Sequence, residues 1–406
     1  MRSLPRPTPR TLTFWVAGAL LMALGAFLGN QDLVWPALFF VLLPLVALAA
    51  VLVLSPRFTV TRSVDPAIVS AGEPAGVHAV ATVVRPSPAG VVVAEDDPGT
   101  RLGTPHHARL LAAHTGQSTD LGYAIRGRRR GRYTLDGFRI RFSDLLGFWV
   151  HTVRQPHATS FVVTPAVVPL PSSRASAYGA TGETPIPQTA IAGPDDVLVR
   201  EYQARDDVRR IHWPSTARSG TLMVRREEAA WDPTAWVLLD SRAGVHPEQR
   251  GEHPTFEWLV CAAASLGLRL LADGYTTTLI DADGNRHEVS ADRPSAPGAW
   301  LDPLVDVQVG GAADLHEATV RMAQASSEHL LVALLGGLDV GTADLLAATS
   351  ASRQDRYAFV MAPDAEGRPA FDDGREVLAD HGWVVQEVTA SGDVAHAWST
   401  ATGVAR

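Results

Sequence analysis

Ala235-Trp236-Val237-Leu238-Leu239-Asp240 is an apolar run closed by an aspartate. It is short and apolar at every position before the aspartate, the pattern of a strand buried on both faces. Downstream, Thr255 to Ala272 carries the apolar face of a helix and Thr276 to Asp281 reads as the next strand. Further strands are expected at His329 to Leu335, Tyr357 to Met361 and Val384 to Val388. Helices are expected near Ala313 to Ala325, Thr342 to Ala351, Asp373 to His381 and Asp393 to Ala401. Strands alternating with helices predict a doubly wound α/β domain over residues 197–406, its parallel sheet covered on both faces.

Upstream the character of the chain changes. Residues 167–196 are rich in Pro, Ser, Thr, Gly and Ala without periodicity and read as a linker or loop. Residues 56–166 hold short β-rich runs between turn residues. In Phe138-Arg139-Ile140-Arg141-Phe142 the apolar residues take one face and the arginines the other. Strand spacing and turn density suit a small antiparallel β-sandwich, immunoglobulin-like, of about 100 residues.

Thr11 to Gly29 and Leu33 to Leu54 are nearly uncharged apolar stretches separated only by Asn30, Gln31 and Asp32. Each is near the roughly 20 residues that cross a hydrocarbon core. They predict a transmembrane helical hairpin over residues 11–54 behind a short N-terminus, 1–10. A cleaved signal peptide is the alternative, and the first stretch lacks a convincing small-residue cleavage site after it. Arg2, Arg6 and Arg10 precede the hairpin, Arg57 and Arg62 follow it, and the loop has no base. That asymmetry puts both termini and the large domains on the cytoplasmic side.

Composition removes several mechanisms. All 35 basic residues of the 406 are arginine, so no Schiff base, Ser-Lys dyad, pyridoxal phosphate anchor or phosphate-loop lysine can form. Gly336-Gly337-Leu338-Asp339-Val340-Gly341-Thr342 imitates the glycine spacing of a phosphate loop without its lysine. The single cysteine, Cys261, excludes an intramolecular disulfide and a Cys-Cys metal knuckle. A net charge of −8 argues against nucleic-acid binding. Against that acidic balance, Arg126, Arg128, Arg129, Arg130 and Arg132 form a basic cluster. It reads either as a solvated hairpin or as a contact to anionic lipid. No Gly-x-Ser-x-Gly elbow and no His-x-x-x-His pair is present.

A charged run occupies residues 200–227. Arg200-Glu201-Tyr202 leads through Asp206, Asp207, Arg209, Arg210, Ile211, His212 and Trp213 to Ala217-Arg218-Ser219-Gly220, then Leu222-Met223-Val224-Arg225. This run resembles the signature of a bacterial family catalogued as domain of unknown function 58. Arg128-Arg129-Arg130-Gly131-Arg132-Tyr133 and Ser143-Asp144-Leu145-Leu146-Gly147-Phe148 are similar to it as well. Arg205 stands where the family usually has glycine, Pro214 where a basic residue is common, and Leu145 where proline is usual.

The resemblance implies that residues 197–406 are a von Willebrand factor A-like domain, whose Asp-x-Ser-x-Ser loop after the first strand holds Mg²⁺. Here the loop reads Asp240-Ser241-Arg242-Ala243-Gly244. Asp240 and Ser241 remain as candidate ligands, but an arginine in this loop repels a divalent cation and is placed to bond Asp240. A degenerate Mg²⁺ site and an internal ion pair are both open, and no other cofactor is expected. Family members are commonly encoded beside MoxR-type AAA+ ATPases and transglutaminase-like membrane proteins. That context implies a non-enzymatic adaptor anchored in the bacterial cell membrane and acting in assembly or an envelope process. For the charged run, a self-satisfied ionic network and a docking surface are both open. A hydrolase pairing His212 with Asp206 or Asp207 is a third reading, without a recognisable nucleophile.

Overall fold

The computed structural model describes residues 4–86, 91–110, 114–156, 158–172, 199–201, 211, 213–225, 234–323, 329–349, 355–363 and 367–403. The chain divides into two compact units, one comprising the chain up to Ala166 with Leu301–Val307, the other Val167–Trp300 with Gln308 onward.

The first unit opens with strand β1 (Arg6–Pro7), then helices α1 (Pro9–Leu28) and α2 (Val34–Val53). Proline at the first helical position sets the start of α1. Gly29, with φ 64°, ends it in the left-handed conformation that glycine adopts without steric cost. The two helices lie against each other because small residues line the crossing: a Cβ on Gly18 would stand 2.9 Å from Val41 Cγ2. Both are long and apolar enough to cross a membrane, with mean hydropathies of 1.9 and 2.7.

Strands β2 (Arg57–Asp65), β3 (Ile68–Ser70), β4 (Pro74–Arg85), β5 (Val92–Asp96), β6 (His106–Arg109) and β7 (Ser118–Arg126) follow. Then come β8 (Gly131–Leu135), β9 (Arg139–Ser143), β10 (Trp149–Arg154) and β11 (Thr159–Thr164). They form sheets of order β1-β10-β9-β5-β6, β2-β4-β7 and β3-β11-β8. Pairing is antiparallel except that β3 runs parallel to β11, a departure from the antiparallel pattern expected here. His106 and His107 lie on β6.

Alternation builds the core. Phe138, Ile140 and Phe142 are buried together with Ala47 and Val51 of α2 and with Trp149, so the base of α2 shares the core of the sheets. A buried ionic group closes the other side. Arg62 Nη1 donates to Asp96 Oδ1 at 2.7 Å and the Tyr123 hydroxyl donates to Oδ2 at 2.8 Å. Burial, reinforced by that bond to Asp96, pushes the Tyr123 pKa up.

In the second unit, β12 (Val199–Glu201) pairs antiparallel with β13 (Met223–Arg225), with the short helix α3 (Trp213–Ser219) between them in sequence. The main sheet comprises β14 (Thr234–Leu239), β15 (Thr276–Asp281), β16 (Arg286–Val289), β17 (His329–Leu335), β18 (Arg356–Met361) and β19 (Val384–Val388). Its order is β16-β15-β14-β17-β18-β19. All neighbours are parallel except β16, an antiparallel edge.

The helices are α4 (Pro254–Ala272), α5 (Ala296–Asp306, its residues from Leu301 assigned to the first unit), α6 (His316–Ala323), α7 (Val340–Ala348), α8 (Arg368–Asp380) and α9 (Val394–Thr402). By length and composition α4 also qualifies as a membrane span, yet 67% of that window is buried inside the protein. It packs on β14, β15 and β17. Trp300 lies across it, with Nε1 donating to the Ala263 carbonyl at 3.1 Å.

Candidate functional site

Between β14 and β17 the strand order reverses: β15 extends the sheet on one side of β14 and β17 on the other. The carboxyl ends of two strands at such a reversal leave a crevice, the usual ligand position of doubly wound sheets. Asp240, Ser241 and Arg242 leave β14 at this point, and Gly336 and Gly337 leave β17 toward α7.

The crevice is occupied by the protein's own charges. Asp240 is fully buried. Its Oδ1 accepts from Arg242 Nε at 2.8 Å and from the Arg242 backbone N–H at 3.2 Å. Its Oδ2 accepts from Arg242 Nη2 at 2.8 Å and from the Gly336 N–H at 3.0 Å. This is the two-pronged guanidinium–carboxylate pairing, the strongest common charge-assisted geometry. Arg242 Nη1 reaches the Thr342 hydroxyl at 3.3 Å. Burial works against the guanidinium charge, but the hydrogen bonds and charge of Asp240, with Asp339 and Asp314 adding smaller attractions, outweigh it and hold Arg242 above its ordinary pKa.

His246 seals the floor. Its Nε2 lies 2.7 Å from the Asp240 carbonyl oxygen and its Nδ1 3.1 Å from the Thr255 hydroxyl. A carbonyl only accepts, so the ring proton sits on Nε2 and Nδ1 accepts from Thr255, the arrangement of a neutral imidazole. Burial lowers the His246 pKa, as do the charges of His253 and Arg242, against the opposing pull of Asp240. Gly336 permits this closeness, because a Cβ there would fall 2.4 Å from His246 Cε1.

The loop that imitates a phosphate loop is spent in the same way. Asp339 caps α7, its Oδ1 accepting from the Thr342 N–H at 2.7 Å. That backbone bond leads the influences holding Asp339 below its ordinary pKa. The helix end that would attract a phosphate therefore already carries a carboxylate.

A divalent cation does not fit these residues. Mg²⁺ requires oxygen ligands at about 2.0–2.1 Å in octahedral array. Both Asp240 oxygens are taken up by nitrogen donors, and the Ser241 hydroxyl accepts from the Ala282 N–H at 3.3 Å. The nearest positive charge is a fixed guanidinium. Among the described residues no group of three or more His, Cys, Asp or Glu side chains is placed to hold a metal.

In the charged run, Arg200 and Glu201 lie on β12, opposite Val224 and Met223 of β13. Trp213 opens α3 and is 65% exposed. Ala217 and Arg218 are exposed on the same helix, and Gly220 follows it with φ 74°. The Met223 N–H donates to the Thr216 hydroxyl at 2.9 Å, tying the helix to β13. Tyr202, Asp206, Asp207, Arg209, Arg210 and His212 lie outside the described residues.

In the basic cluster, Arg126 and Arg128 are exposed. Arg132 donates to Asp302 and Asp306 at 2.8 Å each, Arg130 to the Val307 carbonyl, and the Arg129 carbonyl accepts from the Tyr133 hydroxyl. Part of this positive charge is therefore met within the protein.

Sequence reasoning did not single out His246, Thr342 or Asp339 as site residues. Only Asp339 had a local signal, an aspartate three residues before Thr342 at the start of a helix. His246 and Thr342 become neighbours of Asp240 and Arg242 only through the sheet. Likewise nothing in the sequence marks Arg62, Asp96 and Tyr123 as one group.

What the fold and site define is an α/β protein behind an apolar helical hairpin, with the customary ligand crevice closed by an internal ion pair. Over residues 198–298 the chain matches the family described as "Protein of unknown function DUF58". It is 26% identical over 250 residues to the uncharacterized protein YeaD of Bacillus subtilis (strain 168), covering 58% of this chain and 59% of YeaD, less than two thirds of that relative's length. Among solved structures, the CARDB domain of PF1109 from Pyrococcus furiosus is 13% identical. It covers 27% of this chain and 86% of its own, at a TM-score of 0.19. The alkylpurine DNA glycosylase AlkC of Pseudomonas fluorescens is 16% identical, covering 33% and 39%, at a TM-score of 0.17. Scores this low define no shared fold.

Proposed function

We propose that this chain is a membrane-anchored, non-enzymatic interaction protein that works with a MoxR-type AAA+ ATPase, and with a transglutaminase-like membrane protein, in an assembly or cell-envelope process. In this reading both termini and the two large units face the bacterial cytoplasm. The β-rich unit is immunoglobulin-like and the α/β unit von Willebrand factor A-like, with Arg242 standing in for the metal.

The observation that carries the reading is Trp213, 65% exposed at the start of α3, with exposed Arg218 on the same helix and Leu222, 43% exposed, just beyond it. Tryptophan and arginine are enriched at the energetic centres of protein interfaces, which supports a docking role for this helix. The closed crevice supports the same reading. A Mg²⁺-dependent binding mode is disfavoured by the engagement of Asp240 with Arg242.

The test is affinity capture of the full-length chain from its native membrane beside Trp213→Ala and Arg218→Ala variants. Recovery of a MoxR-type ATPase with the native chain and its loss with Trp213→Ala is expected. Equal recovery from folded variants refutes the docking role of α3, and absence of the ATPase from all captures refutes the partnership.

A further inference from the structure

Within the first unit an apolar groove of about 360 Å³ runs along α2 from Leu43 to Leu54, closed on its other side by Phe142 and the turn Leu145-Leu146. Its polar lining is already committed. The Asp144 carboxylate accepts from the Phe148 N–H at 2.7 and 2.8 Å and from the Trp149 N–H at 3.2 Å, and the Ser143 hydroxyl accepts from the Val91 N–H at 3.2 Å. Leu145 and Leu146 are nonetheless 70% and 50% exposed.

The depth of the groove follows from helix length. At 1.5 Å per residue, the 20 residues of α2 span about 30 Å, the thickness of a hydrocarbon core, so a bilayer-crossing α2 has no turn to spare. The β-rich sheets share that helix's inner half: Trp149 Nε1 donates to the Pro44 carbonyl at 2.7 Å, and Ala47 and Val51 sit in their core. From Leu43 to Leu54 is about 16 Å, close to one leaflet's share of the core. The turn beside the groove is therefore held at hydrocarbon depth, where backbone groups must be paired internally. Several are: the Thr8 hydroxyl donates to the Gly147 carbonyl at 2.8 Å, the Thr8 N–H to the Phe148 carbonyl, and the Gly147 N–H to the Asp144 carbonyl.

Cations stand at the rim. Arg10 Nη1 donates to the Leu146 carbonyl at 3.3 Å, Arg85 to the Val53 carbonyl, and Arg57 is exposed just past α2.

We propose that this groove binds one acyl chain of an inner-leaflet phospholipid, with the Leu145-Leu146 turn inserted beside it and the rim arginines facing the phosphate. The occupant is membrane lipid because the groove is continuous with the exposed apolar face of α2, Leu42, Leu45, Val46 and Val53. The groove's Asp144 carboxylate and Ser143 hydroxyl oxygen already accept from backbone N–H groups, and the rest of its lining side chains are apolar. The proposal rests on the anchoring of α1 and α2 in a bilayer, and its test reads the two separately.

The full-length chain with Cys261→Ala receives a single labelled cysteine at Leu146, at Leu20 on the exposed face of α1, or at exposed Glu73. Each is reconstituted into vesicles of equimolar phosphatidylglycerol and phosphatidylethanolamine. Acyl-chain spin-labelled lipid is expected to quench the Leu20 and Leu146 probes but not Glu73, and aqueous iodide the reverse. Quenching of Leu20 by lipid with Leu146 open to iodide overturns the groove and leaves the anchor standing. Failure of lipid to quench Leu20 overturns both. In native mass spectrometry from mild detergent, retention of one phospholipid by the native chain and about tenfold weaker retention by the groove-filling Ala50→Phe is expected, from the methylenes displaced. Equal retention by both overturns the acyl-chain site.

Discussion

Replacing Arg242 by alanine removes the cation that neutralises a carboxylate with no exposure to solvent. Breaking a buried pair by deleting one partner costs about 3–5 kcal/mol, because the surviving charge stays desolvated and unpaired. Asp240 would keep the Gly336 N–H and the residue-242 backbone N–H, which places the expected loss near about 3 kcal/mol, the low end of that range. The chain has two units, so a single melting temperature does not isolate the effect. Amide hydrogen exchange of β14 in the full-length protein in detergent does. About 3 kcal/mol corresponds to roughly hundredfold faster exchange at Trp236 to Leu239 wherever these amides open locally. The double variant Asp240→Asn with Arg242→Met removes both charges and should recover most of the loss, since neutral replacement of a buried pair is often tolerated. Arg242→Lys should fall between, because an ammonium cannot make the two-pronged bond. A change below about threefold for Arg242→Ala, or a double variant no milder than the single one, refutes the reasoning.

Further expectations concern neighbouring elements. The His246 pKa is depressed in the folded protein, so its contribution to stability is present above the ordinary value of 6.5 and is lost as pH falls from there through the folded pKa. Chemical denaturation between neutral and mildly acidic pH should show this loss in the α/β unit, and His246→Gln should flatten it. Gly267→Ala places a methyl 1.8 Å from Trp300 Cε2, and overpacking of this kind costs about 1–3 kcal/mol. Tryptophan fluorescence during denaturation reads it, and Trp300→Phe in the same chain should restore part of the loss. Asp339→Ala removes the cap of α7 at a cost of about 1 kcal/mol, with faster exchange of the Thr342 amide. Trp213→Ala, by contrast, should change stability by no more than about 0.5 kcal/mol, the usual range for an exposed site, so a loss of partner capture would report binding and not folding.

The sequence was most legible where burial is continuous. The runs at β14 and β17, the two central strands, are apolar because both faces of a parallel sheet are covered there, and no other short element demands that. The alternation at Phe138 to Phe142 was equally plain, with Arg139 and Arg141 outward beside Glu95. Elements that escaped are those whose pattern is set by position. Arg286-His287-Glu288-Val289 is mostly polar because β16 is an edge, and α5 opens on Ala296-Pro297-Gly298 and contains Pro303, which reads as loop. The parallel pairing of β3 with β11 joins residues nearly a hundred positions apart and leaves no local trace. At the site, Asp240 and Arg242 are close in sequence and their opposite charges are visible together. Thr342 and Gly336 reach them only through the strand order, which a single sequence does not display.

The same division of labour runs through each unit. Polar groups in crevices and turns are paired internally: Asp240 with Arg242, Asp339 with the α7 amides, Asp144 with the Phe148 and Trp149 amides, Asp96 with Arg62 and Tyr123. Among the exposed large apolar side chains are Trp213 and Leu222 in one unit and Leu145 and Leu146 in the other. Exposed apolar groups gain free energy only when another surface or a membrane covers them, at about 25 cal/mol per Å². In the proposed reading a protein surface covers α3 and a lipid chain covers the groove along α2.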